Sequence, residues 1–437
     1  MSIKQAFLLA LSFVVGSLGP DSFAHAGELP RARPEEVGLS ADRLADFDRF
    51  YAAKVERGEM AGMVTLVSRR GKVAHFSAIG YADRERKQRM ETSTIFRLYS
   101  MTKPITSTAL MMLYQEGRFQ LTDPVSKYLP EFSNLQVLRA ADSQLGDTVP
   151  ATRAPTIQDL LRHTAGFGHG LESNAADAQY VKADLFGVDV TLAEMMQRLV
   201  KVPLRVQPGS QWIYSAAPDV QARLVEVLSG MSFDTFLAQR LFQPLGMKDT
   251  AFWLGPDKSK RLATVYWMKE GKLTPLDDAH GFPPQIGFIA SSVNSYTVNH
   301  KRKGGSFGLV GTAEDYWRFA QMVLSDGQLD GRRILSPQVV HYMTRDHLGH
   351  IAVGQGNSSI PGSGFGLGFG VVRDPTAAGY MSSEGTVFWA GAANTHFWID
   401  PKEELVVVAL TQDLGGAPGF DVLGPQVRTL VYSALMN

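Results

Sequence analysis

The chain is organised around the stretch Tyr99-Ser100-Met101-Thr102-Lys103-Pro104-Ile105-Thr106-Ser107. On a helix, residues three apart lie on one face, so the side chains of Ser100 and Lys103 can touch. Pro104 favours a helix start at about Ser100, because the first N–H groups of a helix lack intrahelical partners. A hydroxyl there lies in the positive field of the helix dipole, and a lysine kept neutral by burial can take its proton. This pattern predicts a serine nucleophile with its own base, although Ser-x-x-Lys alone is also common on solvated helix faces.

Composition narrows the chemistry. The 437 residues are 44% hydrophobic and 20% charged, which is typical of a soluble globular enzyme. Basic and acidic residues balance at 43 each and form no basic run, so we expect no nucleic-acid partner. The absence of cysteine excludes a thiol nucleophile, disulfides and thiolate metal sites. The histidines show no spacing typical of metal ligands, so we expect no metal and no cofactor.

Residues 1–26 have the pattern of a secretory signal peptide. Lys4 gives a positive start, residues 6–19 are mostly apolar, and Ala24-His25-Ala26 has the small-x-small form of a cleavage site. The apolar run is shorter than the ~20 residues needed to span a bilayer, so we expect no stable membrane insertion. The pattern therefore predicts a mature chain of residues 27–437 that is secreted or periplasmic.

Strand patterns lie at both ends of the chain and helical patterns in the middle. Apolar runs separated by short turns predict strand pairs at 63–68 with 72–80 and at 395–399 with 405–411. Helical periodicity, with typical caps and stop residues, is found at 41–56, 100–116, 192–200, 217–229, 233–241, 312–324 and 420–435.

These patterns predict an α+β fold. Its antiparallel sheet is built from both chain ends and flanked by helices (about 27–120 and 300–437), and a mostly helical subdomain (about 121–299) is inserted. Residues 134–155 read as a loop, and residues 169–189 as a surface excursion that could cover a cleft. Residues 262–311, rich in Gly, Pro and Ser, give no clear assignment. A cleft between the two parts is the expected site.

Two further segments contain candidate site residues. In Pro208-Gly209-Ser210-Gln211-Trp212-Ile213-Tyr214-Ser215-Ala216, a turn leads into a tyrosine that projects from a loop just before a predicted helix. Phe388-Trp389-Ala390-Gly391-Ala392-Ala393-Asn394-Thr395 is a run of small residues before a predicted strand. Small residues there leave room for an acyl oxygen to approach the backbone closely.

With three more motifs, the sequence resembles a known superfamily over essentially the whole mature chain. The further motifs are Leu160-Leu161-Arg162-His163-Thr164-Ala165-Gly166, Gly308-Leu309-Val310-Gly311-Thr312-Ala313-Glu314-Asp315-Tyr316 and Phe397-Trp398-Ile399-Asp400-Pro401. Together the motifs resemble the serine β-lactamase and penicillin-binding-protein superfamily, and specifically family VIII carboxylesterases and their class C β-lactamase relatives. The resemblance implies a β-lactamase-like fold.

The resemblance also implies roles for individual residues. It makes Ser100 the acylated nucleophile, Lys103 its general base, and Tyr214 the residue that shuttles or stabilises the proton. The oxyanion hole would consist of the backbone N–H of Ser100 and one after Gly391, at Ala392.

Two departures from the β-lactamase pattern favour ester substrates. Tyr214-Ser215-Ala216 stands where β-lactamases have Tyr-x-Asn, and Trp389-Ala390-Gly391 where they have Lys-Thr-Gly. The lysine that helps to hold an antibiotic carboxylate is lost, and an indole cannot replace that cation. Family VIII esterases commonly show the Trp-x-Gly form. We therefore expect a serine carboxylesterase that cleaves a small-molecule ester.

Several alternatives stay open at this point. A β-lactamase or D-alanyl peptidase could use the same site, and a non-catalytic binding homologue could share the fold. Acyl transfer to an alcohol, the natural substrate and the oligomeric state are not settled by the sequence.

Two other residues are weaker candidates for chemistry. Ser306 lies in Gly304-Gly305-Ser306-Phe307-Gly308, which matches the Gly-x-Ser-x-Gly nucleophile elbow, but that motif requires a strand before it and a helix directly after. A charged segment precedes it here, so we interpret residues 304–308 as a loop. His163 lies at a predicted helix end, where a histidine more often caps or supports than acts as a base.

Overall fold

A computed structural model of the chain describes residues 27–170, 172, 174–277, 295–353, 361–414 and 423–436. The predicted signal peptide, with its cleavage site at Ala26, lies outside the described residues. The strands are β1 (Gly62–Arg69), β2 (Lys72–Asp83), β3 (Gln88–Arg89), β4 (Phe96–Arg97), β5 (Gln136–Leu138), β6 (Thr148–Pro150), β7 (Tyr266–Lys269), β8 (Lys272–Pro275), β9 (Val310–Gly311), β10 (Gln328–Leu329), β11 (Arg332–Arg333), β12 (Ser363–Phe365), β13 (Gly370–Val372), β14 (Val387–Gly391), β15 (Thr395–Asp400) and β16 (Leu405–Leu410).

The helices alternate with these strands and fill the middle of the chain. They are α1 (Ala41–Glu56), α2 (Thr102–Gln115), α3 (Ile157–Leu161), α4 (Ala175–Lys182), α5 (Leu192–Leu199), α6 (Ala217–Ser229), α7 (Phe233–Leu237), α8 (Gln243–Leu245), α9 (Pro256–Ser259), α10 (Ala313–Leu324), α11 (Pro337–Met343), α12 (Pro375–Ala378) and α13 (Leu423–Tyr432). Among the described residues, no helix is both long and apolar enough to cross a membrane.

The main sheet joins the two ends of the chain. Its strands follow the order β12-β13-β14-β15-β16-β1-β2-β3, and every neighbouring pair is antiparallel. The last strand, β16, pairs with the first, β1, so that Val64 lies opposite Leu410 and Arg69 opposite Leu405. The predicted α+β fold, with a sheet built from both chain ends, is confirmed.

Helices cover both faces of the sheet. All residues of β1 are buried, because its alternating side chains serve two hydrophobic clusters. Met63 and Val67 pack in a cluster with residues of α1 and α13, whereas Val64 and Leu66 belong to the cluster that contains α2 and α10. On this second face, Trp317 Nε1 of α10 donates a hydrogen bond to Ser68 Oγ at 2.6 Å. The nucleophile helix α2 is thus packed directly on the sheet.

Several helix ends confirm the capping signals in the sequence. Ser40 Oγ accepts a hydrogen bond from the Arg43 N–H at the start of α1, and Thr312 Oγ1 accepts one from the Asp315 N–H at the start of α10. Gly230, whose φ of 73° lies in the left-handed region, ends α6.

Other expectations were wrong. Residues 134–155 are not all loop, since β5 and β6 pair within them. Residues 169–189 are not a surface excursion, because they contain α4, and Ala176 and Tyr180 of that helix are buried in the core. The unassigned region after Leu262 contains the β7–β8 hairpin, while its residues 278–294 lie outside the described part. The sheet also extends to β12 and β13, which are too short to show a period in the sequence.

The domain division at about 120 and 300 stays a prediction. One cluster of buried apolar residues runs through both predicted parts and includes Ile105 of α2, Leu160 of α3, Val220 of α6 and Phe319 of α10. The helical part therefore shares a core with the sheet part.

Candidate active site

The Ser100 hydroxyl lies between two partners. Lys103 Nζ donates a hydrogen bond to Ser100 Oγ at 3.0 Å, and the Tyr214 hydroxyl donates one at 2.7 Å. Ser100 and Tyr214 are partly exposed, whereas Lys103 is only 2% exposed. The three residues predicted as catalytic are therefore brought together, with a buried amine beside a partly exposed serine and tyrosine.

Ser100 sits in a tight turn rather than in the helix itself. The turn Tyr99–Met101 is a 3₁₀-helix, and α2 begins at Thr102, two residues later than we expected for the helix start. Tyr99 has φ of 46°, which for a large aromatic residue costs of order 1–3 kcal/mol. Packing holds this conformation, because the Tyr99 side chain is buried in a cluster with Val265 and Leu276. The nucleophile is thus presented by a strained turn fixed by its surroundings.

Burial changes the charge state of Lys103. Desolvation lowers the pKa of its amine to about 7, although the negative charge of Asp219 opposes this. The amine also donates a hydrogen bond to the backbone carbonyl of Ser306 at 2.8 Å. A large share of Lys103 is therefore neutral at neutral pH and able to accept the proton of Ser100.

Backbone hydrogen bonds to the segment 163–168 hold the loop that contains Tyr214. The Ile213 N–H donates to the His163 carbonyl at 2.9 Å, and the Ala216 N–H donates to the Gly168 carbonyl at 2.9 Å. Burial raises the pKa of the Tyr214 phenol above its ordinary value, and the hydrogen bond with Ser100 offsets this only in part. Tyr214 is therefore a neutral hydrogen-bond donor near neutral pH.

Aromatic rings surround Tyr214. His169 stacks on it with ring centroids 5.2 Å apart and an angle of 15° between the planes, and His163 lies at 5.2 Å on a tilted plane. His163 Nδ1 is within hydrogen-bond distance of Ser215 Oγ, at 3.0 Å. Burial lowers the pKa of both imidazoles well below the ordinary range, so both are neutral. His163 thus contacts the tyrosine loop through its carbonyl and its ring, and no contact links it to Ser100 in the described structure.

The edge of β14 lies against the nucleophile turn. A Cβ at Gly391 would lie 2.4 Å from the Leu98 carbonyl oxygen and 2.3 Å from Thr395 Oγ1, so only glycine fits there. Ala392 follows directly and packs beside the cluster that contains Tyr99. The strand end predicted to supply the second oxyanion N–H therefore reaches the turn that contains Ser100.

Trp389 occupies β14 next to the proposed nucleophile. Its ring centroid lies 5.7 Å from that of Tyr214 and 5.3 Å from that of Phe365, and its side chain is partly exposed. Ala216, where β-lactamases have an asparagine, is fully buried. The wall of the site on this side is aromatic and carries no cation at position 389.

Ser306, the other serine that lies in a catalytic motif, does not present its hydroxyl to the site. Residues 304–308 form a loop, as predicted, and Ser306 is fully buried. In the part of the chain that the structure describes, its hydroxyl has no hydrogen-bond partner. Only its carbonyl reaches the site, through Lys103.

Sequence reasoning missed His169, Phe365 and Asp219. His169 lies in a segment without periodicity, and Phe365 in a strand of three residues, so neither gave a local signal. Asp219 looked like an ordinary acidic residue in the first turn of a helix. Within the described ranges, no group of three His, Asp or Glu side chains could hold a metal ion.

Comparisons with known proteins find similarity over most of the chain. The family model described as Beta-lactamase matches residues 47–431. Protein Rv1367c of Mycobacterium tuberculosis is 35% identical over 368 residues, which cover 82% of this chain and 87% of that protein. Esterase EstB of Burkholderia gladioli is 31% identical over 390 residues, covering 86% and 93%.

A solved structure, described as EstCE1, a hydrolase with promiscuous acyltransferase activity, superposes with a TM-score of 0.72 at 27% identity. The match covers 90% of this chain and 98% of that one. The structural similarity thus extends over most of the chain.

Proposed function

The chain belongs to the β-lactamase family, and from this membership we propose that it hydrolyses carboxylic esters through an acyl-enzyme formed on Ser100. The coarser assignment, a serine hydrolase of β-lactamase fold, is common to the family match and the esterase relatives. The finer proposal is carried by one observation: Ser100 Oγ lies 3.0 Å from the Lys103 amine and 2.7 Å from the Tyr214 hydroxyl.

The proposed reaction begins with proton transfer. Neutral Lys103 takes the proton of Ser100 as Oγ forms a bond to the ester carbonyl carbon, and the N–H groups of Ser100 and Ala392 receive the developing oxyanion. The bond from carbon to the leaving alkoxide then breaks. The alkoxide takes a proton from the Lys103–Tyr214 pair and departs as an alcohol.

Deacylation repeats these steps with water as the nucleophile. A water molecule loses a proton to the Lys103–Tyr214 pair as its oxygen forms a bond to the acyl carbon, the bond from this carbon to Ser100 Oγ breaks, and the same pair returns the proton to Oγ. An alcohol in place of water would give acyl transfer instead, an activity named for the EstCE1 structure. Adding an acceptor alcohol to the assay distinguishes the two fates of the acyl group.

Esters fit the site better than β-lactams. Trp389 and Ala216 stand where β-lactamases have a lysine and an asparagine, so a substrate carboxylate would meet an indole at position 389 and find no side-chain amide at position 216. A charge-assisted hydrogen bond contributes about 1.5–3 kcal/mol, and its loss removes a large part of the recognition of such a substrate. A neutral acyl ester needs no such partner.

The deciding experiment compares two substrates on the purified protein. We expect a higher kcat/KM for a short-chain aryl ester than for a chromogenic cephalosporin. A ratio in favour of the cephalosporin would identify a β-lactamase or D-alanyl peptidase on the same site. A protein that neither turns over the ester nor reacts with a fluorophosphonate probe would be a binding homologue.

We also propose that the protein is exported, on the basis of the signal-peptide pattern in residues 1–26. Expression of the full chain in a bacterial host, followed by fractionation and N-terminal sequencing, tests this. Export and a new N-terminus at Gly27 are expected, whereas an intact N-terminus in the cytoplasmic fraction would refute the proposal.

A further inference from the structure

A buried carboxylate lies behind the proposed general base. Asp219, in the first turn of α6, is fully buried. Its Oδ1 accepts a hydrogen bond from the Gly305 N–H at 3.0 Å and lies 3.9 Å from Arg302 Nη1. Its Oδ2 is buried with no hydrogen-bond partner anywhere in the described ranges. A buried charge that is only partly compensated costs stability, so a structural role alone does not explain it well.

The loop that Asp219 holds is the loop that anchors Lys103. Both backbone polar groups of Gly305 are hydrogen-bonded. Its N–H donates to Asp219 Oδ1, and its carbonyl accepts a hydrogen bond from Thr106 Oγ1 at 2.9 Å. The next carbonyl along, that of Ser306, accepts the hydrogen bond from Lys103 Nζ. Displacement of Gly305 would therefore displace the partner of the amine.

Close packing leaves this loop little freedom. A Cβ at Gly305 would lie 2.1 Å from the Pro218 carbonyl oxygen, and one at Gly304 would lie 2.2 Å from Arg302 Nη1. Pro218 and Asp219 lie in the first turn of α6, directly after the loop that contains Tyr214. The packing of Gly305 on Pro218 therefore connects the loop that anchors Lys103 with the loop that contains Tyr214.

We propose that Asp219 is a positioning residue for the general base: its carboxylate fixes the 304–306 loop that anchors the Lys103 amine and supplies the negative charge that acts on this amine. The inference rests on the proposed function, in which Lys103 is that base. Arg302 moderates the charge, because its guanidinium faces the same carboxylate oxygen and is itself buried against Phe307, 4.5 Å from the ring centroid.

The other titratable groups around Lys103 do not supply this charge. Burial lowers the pKa values of His163 and His169, so both imidazoles are neutral. Burial also raises the pKa of the Tyr214 phenol, which therefore stays protonated. The titratable groups that act on the amine or contact it are His163, His169, Tyr214 and Asp219. The Arg302 guanidinium lies against Asp219 instead. Asp219 is the carboxylate whose charge acts on Lys103.

The test separates charge from hydrogen bonding. Asp219→Asn keeps an oxygen that can accept from Gly305 but removes the charge, so the acid limb of kcat/KM should move to lower pH by about half a unit or more. Its maximal rate should fall less than that of Asp219→Ala. Asp219→Ala loses both functions, and should show the same shift together with a fall of about tenfold or more in the maximal rate.

A second pair of variants protects the test against misfolding. Arg302→Met removes the moderating cation, so the acid limb should move to higher pH, opposite to Asp219→Asn. Asp159→Asn is the matched control, because Asp159 is equally buried near a helix start and pairs with Arg153 and Arg162. It should lower the melting temperature without moving the limb.

The readout does not depend on the substrate. The pH dependence of fluorophosphonate labelling of Ser100 reports the same base as ester turnover. If Asp219→Asn and Arg302→Met are folded and the acid limbs of their pH profiles coincide with that of wild type, the inference is overturned and the proposed function is left intact. Absence of any turnover or labelling that depends on Ser100 in the wild-type protein would instead overturn the proposed function.

Discussion

The backbone carbonyl of Ser306 accepts a hydrogen bond from Lys103 Nζ at 2.8 Å, while the hydroxyl of Ser306 is buried away from solvent. Two serines in this chain match catalytic motifs, and this contact assigns them different tasks. Ser100 offers a partly exposed hydroxyl with two hydrogen-bond partners, whereas Ser306 offers only its main chain to the site.

We therefore predict that Ser100→Ala abolishes ester turnover, whereas Ser306→Ala retains most of it because the carbonyl is unchanged. Initial rates with an aryl ester measure both effects. Peptide mapping after fluorophosphonate treatment should place the label on Ser100. A label on Ser306, or loss of activity only in Ser306→Ala, would contradict the assignment.

The Lys103 amine predicts the pH profile. Because its pKa is lowered to about 7 and the neutral amine is the base, kcat/KM should rise with pH and reach half its maximum near that value. Lys103→Ala should reduce kcat/KM by roughly 10²–10⁴-fold, which is the usual contribution of a general base. A variant within tenfold of wild type, a difference of about 1.4 kcal/mol in the barrier, would point to another base.

The same pKa predicts how stability changes with pH. Lys103 titrates near 7 when folded and near 10.5 when exposed, so between these values the unfolded chain binds more protons. The free energy of unfolding should therefore rise with pH across this window, by at most about 1.4 kcal/mol per unit. Below it the amine is charged in both states, and the dependence vanishes.

Urea unfolding of wild type and Lys103→Met at several pH values measures this difference. The variant has no amine to titrate, so the stability of wild type relative to Lys103→Met should increase above about pH 7. A relative stability that stays constant between about pH 7 and pH 10 would mean that the buried amine remains protonated in the folded protein.

We predict that Gly391→Ala lowers activity, because the added methyl group displaces β14. In Gly391→Ala the new Cβ would lie 2.4 Å from the Leu98 carbonyl oxygen, which belongs to rigid backbone, so β14 must move away from the nucleophile turn. A displacement of about 1 Å can cost on the order of 10²-fold in rate. Gly146→Ala is the control, since its Cβ would meet open space. Equal kcat/KM for both variants would show that β14 is not part of the site.

Local signals explain why much of the site could be predicted. Ser100 and Lys103 are constrained by helical spacing, and Tyr214 by the turn before α6, so their residue types and positions were visible in the sequence. The central strands β1 and β16 are long apolar runs and were equally visible.

Long-range contacts explain what was missed. The stacking of His169 on Tyr214 and the hydrogen bond from Gly305 to Asp219 join segments that are far apart in the chain. The left-handed conformation of Tyr99 is likewise imposed by tertiary packing, because nothing in its local sequence favours φ of 46°. Such features follow from the assembled core rather than from any local period.

Trp389 should determine the preference for esters over carboxylate-bearing lactams. In Trp389→Lys a cation returns to the position where β-lactamases have one, but an aromatic wall is lost, which is part of the roughly 150–250 Å² that a fully buried aromatic side chain covers. That wall packs on Tyr214 and Phe365, with ring centroids 5.7 Å and 5.3 Å away, so its removal also loosens the tyrosine. Ester activity should fall, and relative activity toward cephalosporins should rise.

The gain toward cephalosporins is limited, because buried Ala216 supplies no amide and one charge-assisted hydrogen bond contributes only about 1.5–3 kcal/mol. Trp389→Phe separates the two effects, since it keeps an aromatic ring without adding a charge. It should retain more ester activity than Trp389→Lys and show no gain toward cephalosporins. If the ester-to-cephalosporin ratio of kcat/KM is the same in wild type and Trp389→Lys, Trp389 does not contact the substrate, and the match of β14 to Lys-Thr-Gly is wrong.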